Sequence, residues 1–225
     1  MPKSALKWCK EIGMFAIDRG RGSCKHRTKY CELYCYNIPF YRCNSKMLIP
    51  RDEFNDMYWN KLDGESFREE LISRKKNTSR VRLMTRGEAF STVDDVYIVE
   101  DLLVKNPDTL FWIPTRAWRN ETIRWAIEKY ISIRENARVL ASTDPSNSDW
   151  EIEMLKAEQW STVHIGGSVL RKGYYRCPKT WEHDTGHCMD CRDGCFSENR
   201  VDVHLKKHNR GSNPRYGDWQ TGKLF

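Results

Sequence analysis

The chain has 225 residues, 39% of them hydrophobic and 31% charged. That is too long for a disulfide-stapled miniprotein and enough for one domain with its own core. No apolar run approaches the ~20 residues of a membrane helix, and residues 1–10 lack the apolar stretch and small-residue cleavage site of a secretory signal, so a reducing cytoplasm is the expected compartment.

In chain order, residues 12–17 (IGMFAI) read as a short buried strand followed by a Gly-rich turn. Residues 54–74 have helical spacing, with Phe54, Met57, Tyr58, Leu62, Phe67, Leu71 and Ile72 recurring at three- and four-residue intervals. Residues 81–85 (VRLMT) predict a strand ending at Gly87. Residues 93–104 predict a helix with Ser91 or Thr92 as cap and Asn106-Pro107 as stop. Residues 110–114 (LFWIP) predict a strand, 121–134 an amphipathic helix, 137–142 (ARVLAS) a strand, 150–157 a short helix and 161–165 (STVHI) a strand stopped by Gly166-Gly167.

Strands alternating with helices imply βαβ units and a parallel sheet. About five units are too few for a closed eight-fold barrel, so the expected fold is α/β, an open or partial parallel (β/α) barrel of five to six strands with Cys-rich loops near both termini. Residues 1–225 are expected as a single domain: the partial barrel over 12–170, a Cys-rich metal-binding extension over 171–208 and a polar tail over 209–225. Ligands of such folds bind at the C-terminal ends of the strands. Those ends carry Asp18, Arg86-Gly87-Glu88, Thr115-Arg116, Thr143-Asp144 and Gly166-Gly167-Ser168. Strands also have to end in turn residues somewhere, so this collection alone does not define a site.

The nine cysteines fall into two groups. Cys24, Cys31 and Cys35 (C-x6-C-x3-C) follow the first strand, with Cys9 and Cys43 nearby and expected to be structural. Cys177, Cys188, Cys191 and Cys195 lie near the end and include a C-x2-C pair. Thiolates are soft ligands suited to zinc or iron–sulfur clusters. Three thiolates in the first group would leave one iron of a four-iron (4Fe-4S) cluster open, with Tyr30, Tyr34, Tyr36, Phe40 and Tyr41 as a shield against water. A zinc site completed by Cys43 or His26 and ordinary buried thiols are the other readings. At the second group a structural zinc and a four-iron cluster are both allowed by the spacing, with His183 and His187 as alternative ligands.

At these residues the chain resembles the phage-encoded "gene product 88" family. The landmarks are Cys35-Tyr36 after the first strand, the stretch 82–90 (RLMTRGEAF), the stretch 111–116 (FWIPTR), Thr143-Asp144-Pro145, and the terminal Cys-Pro…Cys-x2-Cys-x3-Cys followed by His204. That family in turn resembles shortened radical S-adenosylmethionine enzymes. The resemblance implies a three-cysteine cluster after the first strand, an auxiliary cluster at the terminal cysteines, and Gly87 and Glu88 in the place of a Gly-Gly-Glu-Pro stretch, where the carboxylate would hold the methionyl ammonium. The usual spacing of those enzymes is C-x3-C-x2-C, which this chain does not keep, and Gly-Gly-Glu-Pro is reduced to Arg86-Gly87-Glu88-Ala89.

Two functions follow. The first is an iron–sulfur enzyme that cleaves S-adenosylmethionine by one electron to a carbon radical, with Glu88, Arg116, Asp144 and Ser168 holding cofactor and an unidentified substrate. The second is a non-enzymatic iron–sulfur or zinc protein that binds nucleic acid or a host factor. The net charge of +7 suits the latter, and residues 116–124 (RAWRNETIR) are its candidate for phosphate contact and base stacking. An excess of Lys and Arg is more often a solvated face. No nucleophile elbow or Ser–His pairing motif is present, which sets a hydrolase aside.

Overall fold

The computed structural model describes residues 4–35, 37–167, 169–181, 188, 191 and 194–206. The described chain is an α/β fold built on one eight-stranded sheet in the order β1-β2-β3-β4-β5-β6-β8-β7. The strands are β1 Lys7–Cys9, β2 Met14–Ile17, β3 Arg80–Leu83, β4 Leu110–Thr115, β5 Ala137–Thr143, β6 Ser161–Ile165, β7 Tyr175–Arg176 and β8 Asp202–Leu205. Only the β1–β2 hairpin is antiparallel; every other pairing is parallel. The sheet is not closed, and β1 and β7 are its edges.

The helices are α1 Lys29–Tyr34, α2 Asn37–Trp59, α3 Gly64–Ile72, α4 Val93–Lys105, α5 Glu121–Tyr130, α6 Asp149–Ala157 and α7 Pro178–Trp181. Their starts are chemically marked. Thr92 and Asp95 form a capping box at α4, as do Ser148 and Glu151 at α6. Asn120 accepts from the Ile123 amide at α5. Each such cap is worth about 1 kcal/mol. The single helix expected over 54–74 is two helices, because Asp63 accepts from the Ser66 amide and starts α3 afresh.

Period-two alternation divides the sheet into two faces. Phe15, Ile17, Val81, Leu83, Phe111, Ile113 and Ala141 face the helices and pack on Trp59, Phe67, Val99, Leu102, Leu103, Ile127 and Leu155. Burying each of the large side chains stabilises the fold by roughly 1.5–3 kcal/mol. Met14, Trp112, Leu140, Val163 and Val203 face the other way. Among the described residues, Phe196 covers them, with Tyr175, Cys177, Cys188, Cys195 and Val201 of the Cys-rich extension packed against the cluster. The fold is therefore three layers: helices, sheet, and a cysteine-bearing cover.

Candidate functional site

The site starts where β2 ends. Asp18 is buried there, and its Oδ1 accepts from the Thr85 amide at 2.9 Å, the Arg86 amide at 3.0 Å and the Thr85 hydroxyl at 2.5 Å. Burial opposes its charge, but the Lys7 ammonium, the Thr85 hydroxyl and Arg86 hold its pKa below the usual carboxylate value. The next residue, Arg19, donates to Asp95 at 2.9 Å and to Asp56 at 3.2 Å. Gly87 has φ +84°, and a Cβ there would lie 2.7 Å from the Arg19 carbonyl oxygen. Only glycine lets the segment after β3 come this close to the segment after β2.

From there the chain crosses the C-terminal edge of the sheet. Ser23 accepts from the Glu88 amide at 2.8 Å, beyond β3. Thr28 caps α1 by accepting from the Cys31 amide at 3.0 Å, and its hydroxyl donates to Asp144 at 2.5 Å, beyond β5. Tyr30 reaches Gly166, beyond β6; Gly166 has φ +117°, and a Cβ there would lie 2.3 Å from the Tyr30 hydroxyl. One segment, 18–35, thus spans the mouths of β2 to β6 and carries Cys24, Cys31 and Cys35 along them.

The polar residues below it form one network. Glu88 is 5% exposed. Its Oε1 accepts from the Thr115 hydroxyl at 2.8 Å and the Phe90 amide at 3.2 Å, and its Oε2 from the Arg116 amide at 2.8 Å. Burial still raises its pKa against those donors. The Arg116 guanidinium pairs with Asp144 at 2.7 Å. Asp144 also accepts from the amide and hydroxyl of Ser146 at 2.9 and 2.6 Å. Burial works against its charge, yet Arg116, Ser146 and Thr28 keep its pKa below the usual range.

The three cysteines join this network. Burial, then Glu88, Cys31 and Cys35, push the Cys24 thiol up to about 12. Burial raises Cys31 as well, opposed by Arg116, while Cys35 and Asp144 add to the rise. Of the residues singled out by sequence, Cys24, Cys31, Cys35, Gly87, Glu88, Arg116 and Asp144 therefore share one neighbourhood. Ser168, Tyr36, His183, His187, the side chain of Phe40 and the tail 209–225 lie outside the described residues. The tyrosine shield is only partly built: Tyr34 is 41% exposed, and Tyr41 donates to Asp52 instead. The segment expected to stack bases does not: Trp118 is buried at 2% exposure with its indole N–H donating to the Ser142 carbonyl at 3.0 Å.

The second cysteine group lies on the sheet face rather than at its edge. Burial, Cys177 and Cys188 raise the Cys195 thiol, opposed by Arg82. Burial also raises Cys188, again with Arg82 opposing and Cys177 and Cys191 adding. The Arg82 guanidinium stacks over Trp112 at 4.2 Å, and Arg80 stacks over Phe196 at 4.7 Å while donating to the Cys191 carbonyl at 3.1 Å. The Trp112 indole N–H is buried and has no hydrogen-bond partner among the described residues. A buried donor and two guanidinium groups beside thiols suit an anionic sulfur-ligated centre, whose sulfurs accept hydrogen bonds and whose charge they offset. Cys9, on β1, reaches Glu11 at 3.7 Å, and Cys43 is exposed on α2.

Among the described residues, no three His, Cys, Asp or Glu side chains stand close enough together to hold a metal ion as they are placed. Burial first, and neighbouring thiols after it, raises Cys24, Cys31, Cys188 and Cys195. A cation placed among them reverses that balance, because it favours the thiolate.

Sequence reasoning passed over a histidine pair at the β6 mouth. His204 accepts at Nδ1 from the Arg171 amide at 2.9 Å, which leaves Nε2–H to donate to the Gly166 carbonyl at 2.6 Å. His164 contacts the Thr143 hydroxyl at 3.1 Å, with its ring edge-on to His204 at 4.9 Å. Burial pushes the His164 pKa down to about 4, so the ring is neutral. The only sequence signal was alternation: both are polar residues between apolar neighbours on a strand. A cavity of about 470 Å³ opens at the opposite end of the sheet, between Arg138, Trp160 and Arg200, away from the strand mouths.

Fold and site together define an α/β protein with an open, mostly parallel sheet whose strand mouths bring three cysteines to a glutamate and an Arg–Asp pair. No family model, curated protein or solved structure matches the chain.

Proposed function

We propose that this protein is an iron–sulfur protein of the radical S-adenosylmethionine type, with Cys24, Cys31 and Cys35 as ligands of a four-iron cluster and a partial (β/α) barrel behind them. The observation that supports this most is the convergence of those cysteines with Glu88, Arg116 and Asp144 along the C-terminal edge of one parallel sheet. Loaded with its cluster and S-adenosylmethionine, such a site supplies one-electron reductive cleavage.

The chain's own residues bind and orient. Arg116 sets a positive charge beside Cys31 and offsets the negative charge of a thiolate-ligated centre. Asp144 fixes Arg116 from one side and Thr28 from the other, so it positions the first turn of α1 and with it Cys31. Glu88 faces Cys24 and has three of its roughly four acceptor positions filled. The remaining one is what an ammonium donor would use. At the second group, Cys177, Cys188, Cys191 and Cys195 would hold a structural zinc or a second cluster, with Arg82 and the Trp112 N–H as outer donors.

Anaerobic purification with iron and sulfide counting tests this reading. Roughly eight irons per chain mean two four-iron clusters, and roughly four mean one cluster, with or without zinc. A visible or electron-paramagnetic signal that shifts on adding S-adenosylmethionine supports the enzyme; a coloured protein indifferent to it overturns that part. The prior engagement of Glu88 favours a second reading, a metal that only braces the fold, whose signature is a colourless protein holding zinc alone.

A further inference from the structure

The chain's charge is not spread evenly. Residues 21–51 hold seven Lys and Arg (Arg21, Lys25, Arg27, Lys29, Arg42, Lys46 and Arg51) against one acid, Glu32, so this segment carries +6 of the net +7. Glu32 is already engaged by Arg27 at 2.8 Å. Lys25, Lys29, Arg42, Lys46 and Arg51 are all exposed. The same segment exposes apolar and aromatic surface: Leu33 is 47% exposed, Tyr34 41%, Met47 69% and Ile49 50%.

The placement matters as much as the composition. Helix α2 bends at Asn44 and runs on through Pro50, and nearly all of residues 41–51 are only half-buried or exposed. Its second half is anchored: Asp52 accepts from Arg86 at 2.5 Å, and Asp56 accepts from Arg19 and from the Gly20 amide, both at 3.2 Å. The basic overhang is therefore held beside the segment that carries the three cysteines. Tyr30 and Tyr34 pair with ring centroids 4.7 Å apart at its inner end.

We infer that α1 and the exposed half of α2 are the docking surface for a single-stranded nucleic acid that is the substrate of the site beneath. This rests on the function proposed above. Phosphates need cations spaced along a track, and unpaired bases need flat or soft apolar surface; this face supplies both. An acidic protein would use the cations but not the exposed Tyr34 ring. A duplex would keep its bases stacked away from thiols sunk at the strand mouths.

The test is fluorescence anisotropy with a labelled single strand of about 12 nucleotides, as RNA and as DNA, on the metal-loaded protein. Reversing Arg42, Lys46 and Arg51 to Glu together should weaken binding more than tenfold and lower the slope of log K against log salt by about 2. Tyr34→Ala should weaken it about tenfold with the salt slope unchanged. Reversing Lys61, Lys75 and Lys172, exposed on other parts of the chain, should weaken it no more than threefold. Equal losses from the two triple variants, competition by polyglutamate as effective as by the strand itself, tighter binding of the duplex, or no binding at all would each overturn the inference. Iron content is read on every variant. Weakened binding of the Arg42, Lys46 and Arg51 variant with iron intact supports the docking surface; undiminished binding in that variant with iron intact sinks the docking surface alone, and an unaltered protein that binds the strand but holds no iron sinks the cluster reading alone.

Discussion

The two cysteine groups differ in what surrounds them. The first lies along the edge of the sheet on a segment tied down by hydrogen bonds at Ser23, Thr28 and Tyr30, with charged partners in Glu88, Arg116 and Asp144. The second lies flat on the sheet face among Met14, Trp112, Leu140, Val163 and Phe196, and is part of what keeps those side chains from water. An edge segment can lose its thiols and keep its anchors. A face cover that loses its thiols loses its grip on an apolar layer. The first group lies among charged partners and the second among apolar ones.

The largest effect should come from the face. Replacing Cys188 and Cys191 by Ser together is expected to lower Tm by more than about 10 °C and to strip metal and soluble yield in parallel. Calorimetry and metal analysis on the purified variant check it, and an unchanged Tm would erase the contrast between the two groups. Next comes the ion pair below the edge. Arg116→Met leaves Asp144 buried with only its Thr28 and Ser146 donors, and should cost about 3 kcal/mol in urea unfolding.

The histidine at the β6 mouth gives a pH signature of intermediate size. The unfolded pKa of His164 is near 6.5 and the folded one about 4, so the unfolded chain binds more protons between those values. Its contribution is fully present above pH 6.5 and is lost as pH falls toward 4. Allowing for solvent screening, stability should drop by about 1.5 kcal/mol or less from pH 7 to pH 5, and a His164→Gln variant should lose that share of the drop. The smallest stability effect is expected at the edge. Cys24→Ala, Cys31→Ala and Cys35→Ala together should cost about 1 kcal/mol while removing the iron proposed for this group, because the anchoring hydrogen bonds remain. A collapse of Tm in that variant would mean that the edge thiols, too, hold the fold.

The alternation of strands and helices from residue 80 to 165 was plain in the sequence, because each strand there is an apolar run and each helix has a marked cap, as at Thr92 and Ser148. The mouth residues Glu88, Arg116 and Asp144 followed from it. The first half of α2 was not legible. Its residues 37–53 show no apolar stripe and include Pro39 and Pro50, and the helix packs through scattered positions such as Ile38, Asn55 and Trp59. Strands β1, β7 and β8 were missed for another reason. They are two to four residues long, and β8 presents Val203 to one face and His204 to the other within a stretch dominated by its cysteines. Eight strands therefore stand where five or six were expected. The base-stacking role given to Trp118 failed because an amphipathic ring beside arginines can equally well turn inward and use its N–H on a carbonyl.

The sheet order β6-β8-β7 also sets a timetable for the chain as it is made. Among the described residues, strand β7 pairs only with β8, which is synthesised some 25 residues later and slots between β7 and β6. On a ribosome, β7 must wait unpaired until β8 has emerged. During that interval Trp112, Leu140 and Val163 face water, and thiols meant to meet each other are open to other reactants. The layer completed last is the one whose thiols wait longest for their partners while the protein is being born.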